Sequence, residues 1–463
     1  MFKTKSYRSS YSYSKNHRQK RISPRWLILS IPLGLILLEI LTRILVNFFG
    51  QSEELAAYQG EPPQVNAYRL QFVDENGESY DALPVRGSLV AEKHLALGYQ
   101  LLGNQQNKYW QINDRGFRDD KPLPLAKPKD EIRIFVLGGS TAFGQGNTTN
   151  KATINSKLQA LFQQRLQQQK SSPKQYRPDV LPFFKPEGLK YLGLSPKIRS
   201  GNYRIINAAV PGYTSGNEMV QLALEILPYK PDAIVVLDGY ADLLLPSDET
   251  AADIPQLENF MQNPMEHFRA YLQTSAQYWF QESYLVKAAQ NWLLRPEPSL
   301  AEKTLGLTQK ANSLAEYLPQ DEAELKRRVD RYRQNQIKMA QFSTQAGIPL
   351  IIAVQPEITG RPENRILEDE KAIVRDLGED YRQKIQKYYP RLSQSIKDLE
   401  KAFPKNVKVL NLYNLSDKSS APLFSDAIHL TEQANTAVAG QIYNSLIQFK
   451  QMQVIPANLN LYQ

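Results

Sequence analysis

The sequence contains no cysteine. That excludes disulfides, cysteine-ligated zinc and thiol nucleophiles, and it leaves the redox compartment open. Histidine is scarce: four in 463 residues, at His17, His94, His267 and His429. Any histidine-dependent chemistry therefore has few candidates. Acidic residues are missing from residues 1–25, which carry eight Lys/Arg, against a net charge of +9 for the whole chain. The positive balance belongs to this tail and the rest is near neutral, so no nucleic-acid partner is expected. Internal repeats and long low-complexity tracts are also absent. Long apolar runs are missing with one exception, residues 26–49.

That exception, WLILSIPLGLILLEILTRILVNFF, is 24 residues long, and a helix of that length reaches roughly 36 Å, enough to span a bilayer. Residues 26–38 alone would suit the apolar core of a cleaved signal peptide, but no small-x-small cleavage site follows directly. The expectation is an uncleaved anchor with the basic tail in the cytoplasm and residues from about 50 onward outside it. Glu39 and Arg43 interrupt the run. They sit four apart on one helical face, which reads as a tolerated charge pair near the helix end, with a partner contact inside the membrane as the functional alternative.

What is present beyond the anchor is ordinary for a globular protein: 42% apolar and 22% charged residues, enough for a sizeable core. Residues 50–130 read as a linker and N-terminal extension of short mixed segments. From 131 to about 450, five runs rich in Val, Ile and Leu stand out, at 132–138, 203–210, 233–239, 349–355 and 407–413. Runs without alternation suit strands buried on both faces. Helical patterns at 151–169, 215–227, 321–346 and 370–403 separate them, which predicts a three-layer α/β/α domain with a mostly parallel five-stranded sheet. Two intervals, 170–202 and 243–320 (the latter with Trp279, Phe280 and Trp292), read as insertions that cover or border a site or pack peripherally.

In open α/β sheets, ligands bind beyond the carboxyl ends of the strands. The first strand is followed by Gly138-Gly139-Ser140-Thr141-Ala142-Phe143-Gly144 and the second by Val210-Pro211-Gly212-Tyr213-Thr214-Ser215. The third is followed by Asp238-Gly239-Tyr240-Ala241-Asp242, and the last by Ser425-Asp426-Ala427-Ile428-His429. The first turn is not a nucleotide loop: Gln145 follows Gly144 where a P-loop needs lysine, and G-x-G-x-x-G is absent. Neither a cofactor nor a metal is expected. It is not a G-x-S-x-G elbow either, since Ala142 occupies the last glycine position. Taken singly, Ser140 reads as a helix cap and His429 as a helix-start or core histidine.

Taken together, I-x-V-L-G-G-S-T-x-x-G, N-A-x-V-P-G-Y-T-S, P-D-x-I-V-V-x-D-G-Y-x-D, V-Q-P and D-x-x-H-L-T, preceded by Gly116-Phe117-Arg118, resemble the SGNH (GDSL-type) hydrolase family. The likeness is to its membrane-anchored branch, whose first block reads G-G-S-T, and it implies a flavodoxin-like α/β/α fold. It also implies that Ser140 attacks an ester carbonyl, that His429 takes and returns the proton, and that Asp426 orients the imidazole. Of the family's oxyanion donors, two map to the N–H groups of Ser140 and Gly212. The third is an Asn side chain, and its position here is Ala241, which has no donor. Asn217 or Asn207 are the candidate replacements, and Asp242 reads as a cap on the following segment. The implied activity is that of a membrane-anchored, extracytoplasmic serine esterase acting on acylated envelope glycan or lipid. The alternatives are an acyltransferase on the same serine, or a weakly active or non-catalytic binding protein of an envelope polysaccharide assembly, which Ala241 favours.

Overall fold

A computed structural model describes residues 24–80, 87–254, 282–305, 313–415 and 421–462. Most of the basic tail, Trp279, Phe280, His17 and His267 lie outside the described residues. The described residues open with a helix, Pro24–Phe48. Within it Ser30–Phe48 is long and apolar enough to cross a membrane, and its large apolar side chains other than Val46 are exposed.

Two short helices, Ser52–Ala57 and Pro63–Tyr68, lead into small sheets. Strands β1 (Leu70–Val73) and β2 (Leu89–His94) are parallel, and β3 (Gly98–Leu101) returns antiparallel to β2. β4 (Gln105–Gln106) and β5 (Gln111–Ile112) form a separate antiparallel pair. Tyr68, Leu89, Tyr99, Trp110 and Phe117 from this region share one core with the main sheet.

The main sheet contains β6 (Glu131–Gly138), β7 (Asn202–Asn207), β8 (Ala233–Asp238), β9 (Leu350–Val354) and β10 (Val407–Asn411). Its order is β10-β9-β8-β6-β7 and every pairing is parallel. This is the α/β fold expected, a five-stranded parallel sheet flanked by helices. β6, β8 and β9 are buried at every residue, which is why their sequences run apolar without alternation. The chain steps from β6 to one side (β7) and then to the other (β8, β9, β10), so the strand order reverses around β6. Ligand crevices form at such switch points.

Boundaries shift where backbone chemistry intervenes. The helical pattern at 370–403 is three helices, Glu368–Leu377, Glu379–Ile396 and Leu399–Ala402. Gly378, at φ +81°, makes the first break, a conformation that glycine adopts without steric cost. The 215–227 pattern is a helix, Ser215–Gln221, that loosens into a π turn at Leu222–Ile226.

Candidate active site

β6 ends in a turn that only glycine fits. Gly138 has φ +149°, and a Cβ there would lie 2.3 Å from the Leu237 carbonyl oxygen and 2.6 Å from the Ala142 Cβ. The helix that follows, Ser140–Phe143, is one turn long. Gly144, at φ +85°, ends it, and its N–H bonds back to the carbonyls of Ser140 (3.0 Å) and Thr141 (3.2 Å). Ser140 thus stands half-buried as the first residue of that helix, two beyond the strand, with Thr141, Ala142 and Phe143 buried behind it.

So short a helix leaves its last carbonyls without helical partners. The buried Arg118 meets two of them, donating from Nη1 to Phe143 (3.0 Å) and Gly144 (2.8 Å). Its Nε reaches Asn150 (2.8 Å) and its Nη2 the Tyr68 hydroxyl (3.1 Å). Asn207, the last residue of β7, donates to the carbonyls of Ala142 (3.2 Å) and Phe143 (3.1 Å).

After β7, Gly212 has φ +86°, and a Cβ would come 2.4 Å from the Tyr99 hydroxyl. That hydroxyl donates to the Pro211 carbonyl at 2.8 Å. Among the described residues, the N–H groups of Ser140 and Gly212 donate to no protein acceptor.

After β8, Ala241 is half-exposed. Neither asparagine named as a replacement has a spare donor. Asn217 spends its amide hydrogens on the carbonyls of Leu97 (2.9 Å) and Ala252 (2.7 Å), and Asn207 spends its own on the serine turn. Asp242 caps a different helix from the one expected. Its carboxylate accepts the Ser215 N–H (3.0 Å) and the Ser215 hydroxyl (2.5 Å), tying the β8 turn to the helix after Gly212.

The D-x-x-H segment closes on itself. Asp426 Oδ1 accepts the backbone N–H groups of Ile428 (3.0 Å) and His429 (2.8 Å), while Oδ2 lies 2.6 Å from His429 Nδ1. Both side chains are buried, and His429 Nε2 has no hydrogen-bond partner among the described residues. The turn is fastened to the serine turn one residue from His429 and one from Ser140: the Thr141 hydroxyl donates to the Ile428 carbonyl at 3.2 Å. Gln355 of the V-Q-P motif donates to that hydroxyl at 2.9 Å, and Ile358 N–H bonds the Ala427 carbonyl at 2.9 Å. The loop after β9 therefore braces the histidine turn. His94 is elsewhere, its Nδ1 accepting backbone N–H groups in the β2–β3 turn.

Burial alone would raise the Asp426 carboxyl. The His429 ring beside it and the two N–H donors outweigh that and hold it below its ordinary value. A second set of buried acids behaves oppositely. Burial and mutual repulsion raise Glu218 and Asp238, the latter to about 7, and burial raises Asp242 as well.

A cavity of about 290 Å³ adjoins the histidine. Ser425, Asp426 and His429 form one side, with Gln145 and Gly146 beside them. The other walls are Pro62, Gln64, Val65, Tyr68 and Arg69 from the N-terminal extension, and Glu297, Glu302 and Lys303 from the 243–320 insertion. Ser140 is not among the lining residues. Arg69 is paired with Glu61, and Lys303 faces Glu297 at 3.4 Å, so the cations in the walls are matched. Among the described residues no three His, Asp or Glu side chains are grouped as metal ligands.

No family model matches the chain, and no curated protein does. Solved structures similar to it over about 70% of its length include a lipase/acylhydrolase from Enterococcus faecalis (12% identity, 68% of this chain and 96% of that one, TM-score 0.34). Others are an acetylxylan esterase from Geobacillus stearothermophilus (12%, 70% and 96%, TM-score 0.32) and a GDSL-like lipase from Bacteroides thetaiotaomicron (13%, 68% and 87%, TM-score 0.27).

Proposed function

We propose that the protein is a membrane-anchored, extracytoplasmic serine hydrolase that cleaves ester bonds of acylated envelope glycan or lipid. The observation that carries this reading is the Asp426 and His429 turn. Asp426 occupies Nδ1 at 2.6 Å, which leaves the buried Nε2 without a partner, one residue from the hydrogen bond that joins this turn to the serine turn. Ser140 Oγ attacks the ester carbonyl as His429 Nε2 takes its proton. The charge on the tetrahedral oxygen is met by the N–H groups of Ser140 and Gly212. His429 returns the proton to the departing alcohol, and water, or a sugar hydroxyl in a transferase, resolves the acyl-enzyme.

Ala241 favours a second form of this reading, in which turnover is slow. One missing oxyanion donor costs ~10²–10³ in rate, and neither Asn207 nor Asn217 has an amide hydrogen to lend. The test is covalent: the full chain in detergent is treated with a fluorophosphonate. Labelling at Ser140 that disappears in Ser140→Ala is expected. An unlabelled wild-type protein, with folding verified by circular dichroism, would remove the hydrolase reading and leave a binding role.

A further inference from the structure

Glu39 lies inside the only described helix long and apolar enough to cross a membrane, yet its carboxylate is fully satisfied. Oε1 accepts Arg43 Nε (2.7 Å) and the Tyr284 N–H (3.0 Å), and Oε2 accepts the Ser283 hydroxyl (2.7 Å) and the Leu285 N–H (2.9 Å). Three of these four donors come from residues about 245 positions later in the chain. Arg43 is engaged from the same side, 4.5 Å over the Tyr284 ring. A carboxylate in water has no need of this arrangement. One in hydrocarbon does, because unsatisfied polar groups there have no water to turn to.

The partner segment is helical from Tyr284 through a π turn ending at Leu294. Glu39 meets its start, and Val46, Leu55 and Ala288 form a small apolar cluster further on, so the two helices run side by side in one direction. From Glu39 to Phe48 the first helix climbs roughly 13 Å, and from Ser283 to Leu294 the second climbs roughly 16 Å. Trp292, Leu293 and Leu294 are therefore level with Phe48 and Phe49, and all five are exposed, Leu293 and Phe48 at 82%. An aromatic and aliphatic belt at one height is the pattern of a membrane–water interface.

We propose that residues 282–294 form a membrane-embedded element, docked on the N-terminal helix through Glu39, with Trp292, Leu293 and Leu294 seated in the lipid interface. This rests on reading that helix as a membrane anchor. The occupant of the exposed tip is the bilayer holding the anchor. The arrangement also locates the cavity: the chain passes from Leu294 through Pro296 into Glu297, Glu302 and Lys303, and Gln145 holds the Lys303 carbonyl at 3.1 Å. The cavity wall is thus the direct continuation of the embedded segment and opens close to the membrane surface, where an amphiphilic ester is presented.

The absence of native cysteine makes the test clean. Leu293→Cys, Leu35→Cys (in the anchor) and Leu95→Cys (fully exposed in the β2–β3 turn) are each labelled with a polarity-sensitive fluorophore in the full chain, in vesicles carrying a lipid-borne quencher. The Leu293 probe is expected to be quenched by lipid nearly as strongly as the Leu35 probe and to be protected from aqueous iodide, while the Leu95 probe shows the reverse. Adding Glu39→Ala to Leu293→Cys should abolish most of the lipid quenching at 293 while leaving position 35 unchanged. A Leu293 probe open to iodide beside a lipid-quenched Leu35 probe overturns the proposal and leaves the anchor intact. If the Leu35 probe is itself in water, both readings fall. An unchanged Leu293 signal in the Glu39→Ala background overturns docking through Glu39.

Discussion

Asp426 and Asp242 invite comparison. Both are almost fully buried, both follow strands of the main sheet, and both accept a backbone N–H and a side-chain donor. Yet the first is held below its ordinary ionisation range and the second above it. Depth does not separate them, since burial raises both. Company does. Asp426 has an imidazole that can carry positive charge and two N–H groups on one oxygen, which together outweigh burial, whereas the Ser215 donors and the Arg331 guanidinium near Asp242 do not. Burial loses to the facing donors at Asp426 and wins at Asp242, so the donors around a buried carboxylate, not its depth, decide its charge.

The same substitution should therefore cost different things at the two positions. Asp426→Asn removes the charge that stabilises an imidazolium and offers Nδ1 the wrong partner. On the proposed mechanism kcat falls by ~10⁴, with a far smaller change in thermal stability, measured as ester turnover beside a melting curve. Equal loss of activity and fold would make Asp426 a structural residue and break the contrast.

Ala241→Asn addresses the third donor position of the proposed oxyanion site. If no other group supplies that donor, a simple aryl ester should be hydrolysed up to ~10²-fold faster, and Ser140→Ala should abolish the gain. An unchanged, serine-dependent rate would mean the two backbone N–H groups suffice. Asp242→Asn should be milder. An amide can still accept from Ser215 N–H and donate to its hydroxyl, so the expected loss is about 1 kcal/mol or less. That is a melting shift of about 2–4 °C, with turnover changed less than tenfold. A larger fall in turnover at unchanged stability would show that the Gly212 loop depends on the charge at Asp242.

How much of this was legible in the sequence follows from the range of each interaction. The strands of the main sheet announce themselves because β6, β8 and β9 are buried on both faces, and the Asp426 and His429 turn is readable because its bonds span three residues. Ala241 was visible as an absence. The clamp by Arg118 was not, although its motif was noticed, because a guanidinium gives no sign in sequence of which carbonyls it will meet. Gln355 likewise stood in a noted motif without a role. The cavity walls were hidden by distance, since Gln64 reaches Gly146 across 82 positions and Gln145 reaches Lys303 across 158. Glu39 and Arg43 read as a tolerated charge pair with a partner contact as the alternative, and nothing in the sequence said that three donors to Glu39 would come from Ser283, Tyr284 and Leu285. The raised carboxyl of Asp242 was hidden because burial and the groups facing it, Ser215 and Arg331, come from distant parts of the chain.

Glu357 tests the rule at a third position. It is buried behind β9 and accepts the Thr359 N–H (2.8 Å), the Thr359 hydroxyl and the Tyr381 hydroxyl (3.1 Å), with no cation among these donors. Burial pushes its carboxyl from 4.5 up to about 7, only partly opposed by those donors. Between those two values the folded state binds more protons than the unfolded one. Stability from this group is therefore full below the unfolded value, declines as pH rises through the window and levels off above about 7. Asp426 contributes with the opposite sign, adding stability that is lost as pH falls. Glu357→Gln removes the first contribution alone. The melting temperature of the variant should match wild type near about pH 5 and exceed it near about pH 8, so the wild-type decline becomes shallower without vanishing, because Asp238 titrates in the same direction. Parallel curves for the two proteins would mean that Glu357 ionises as freely when buried as it does in water, and that burial is not what raises it.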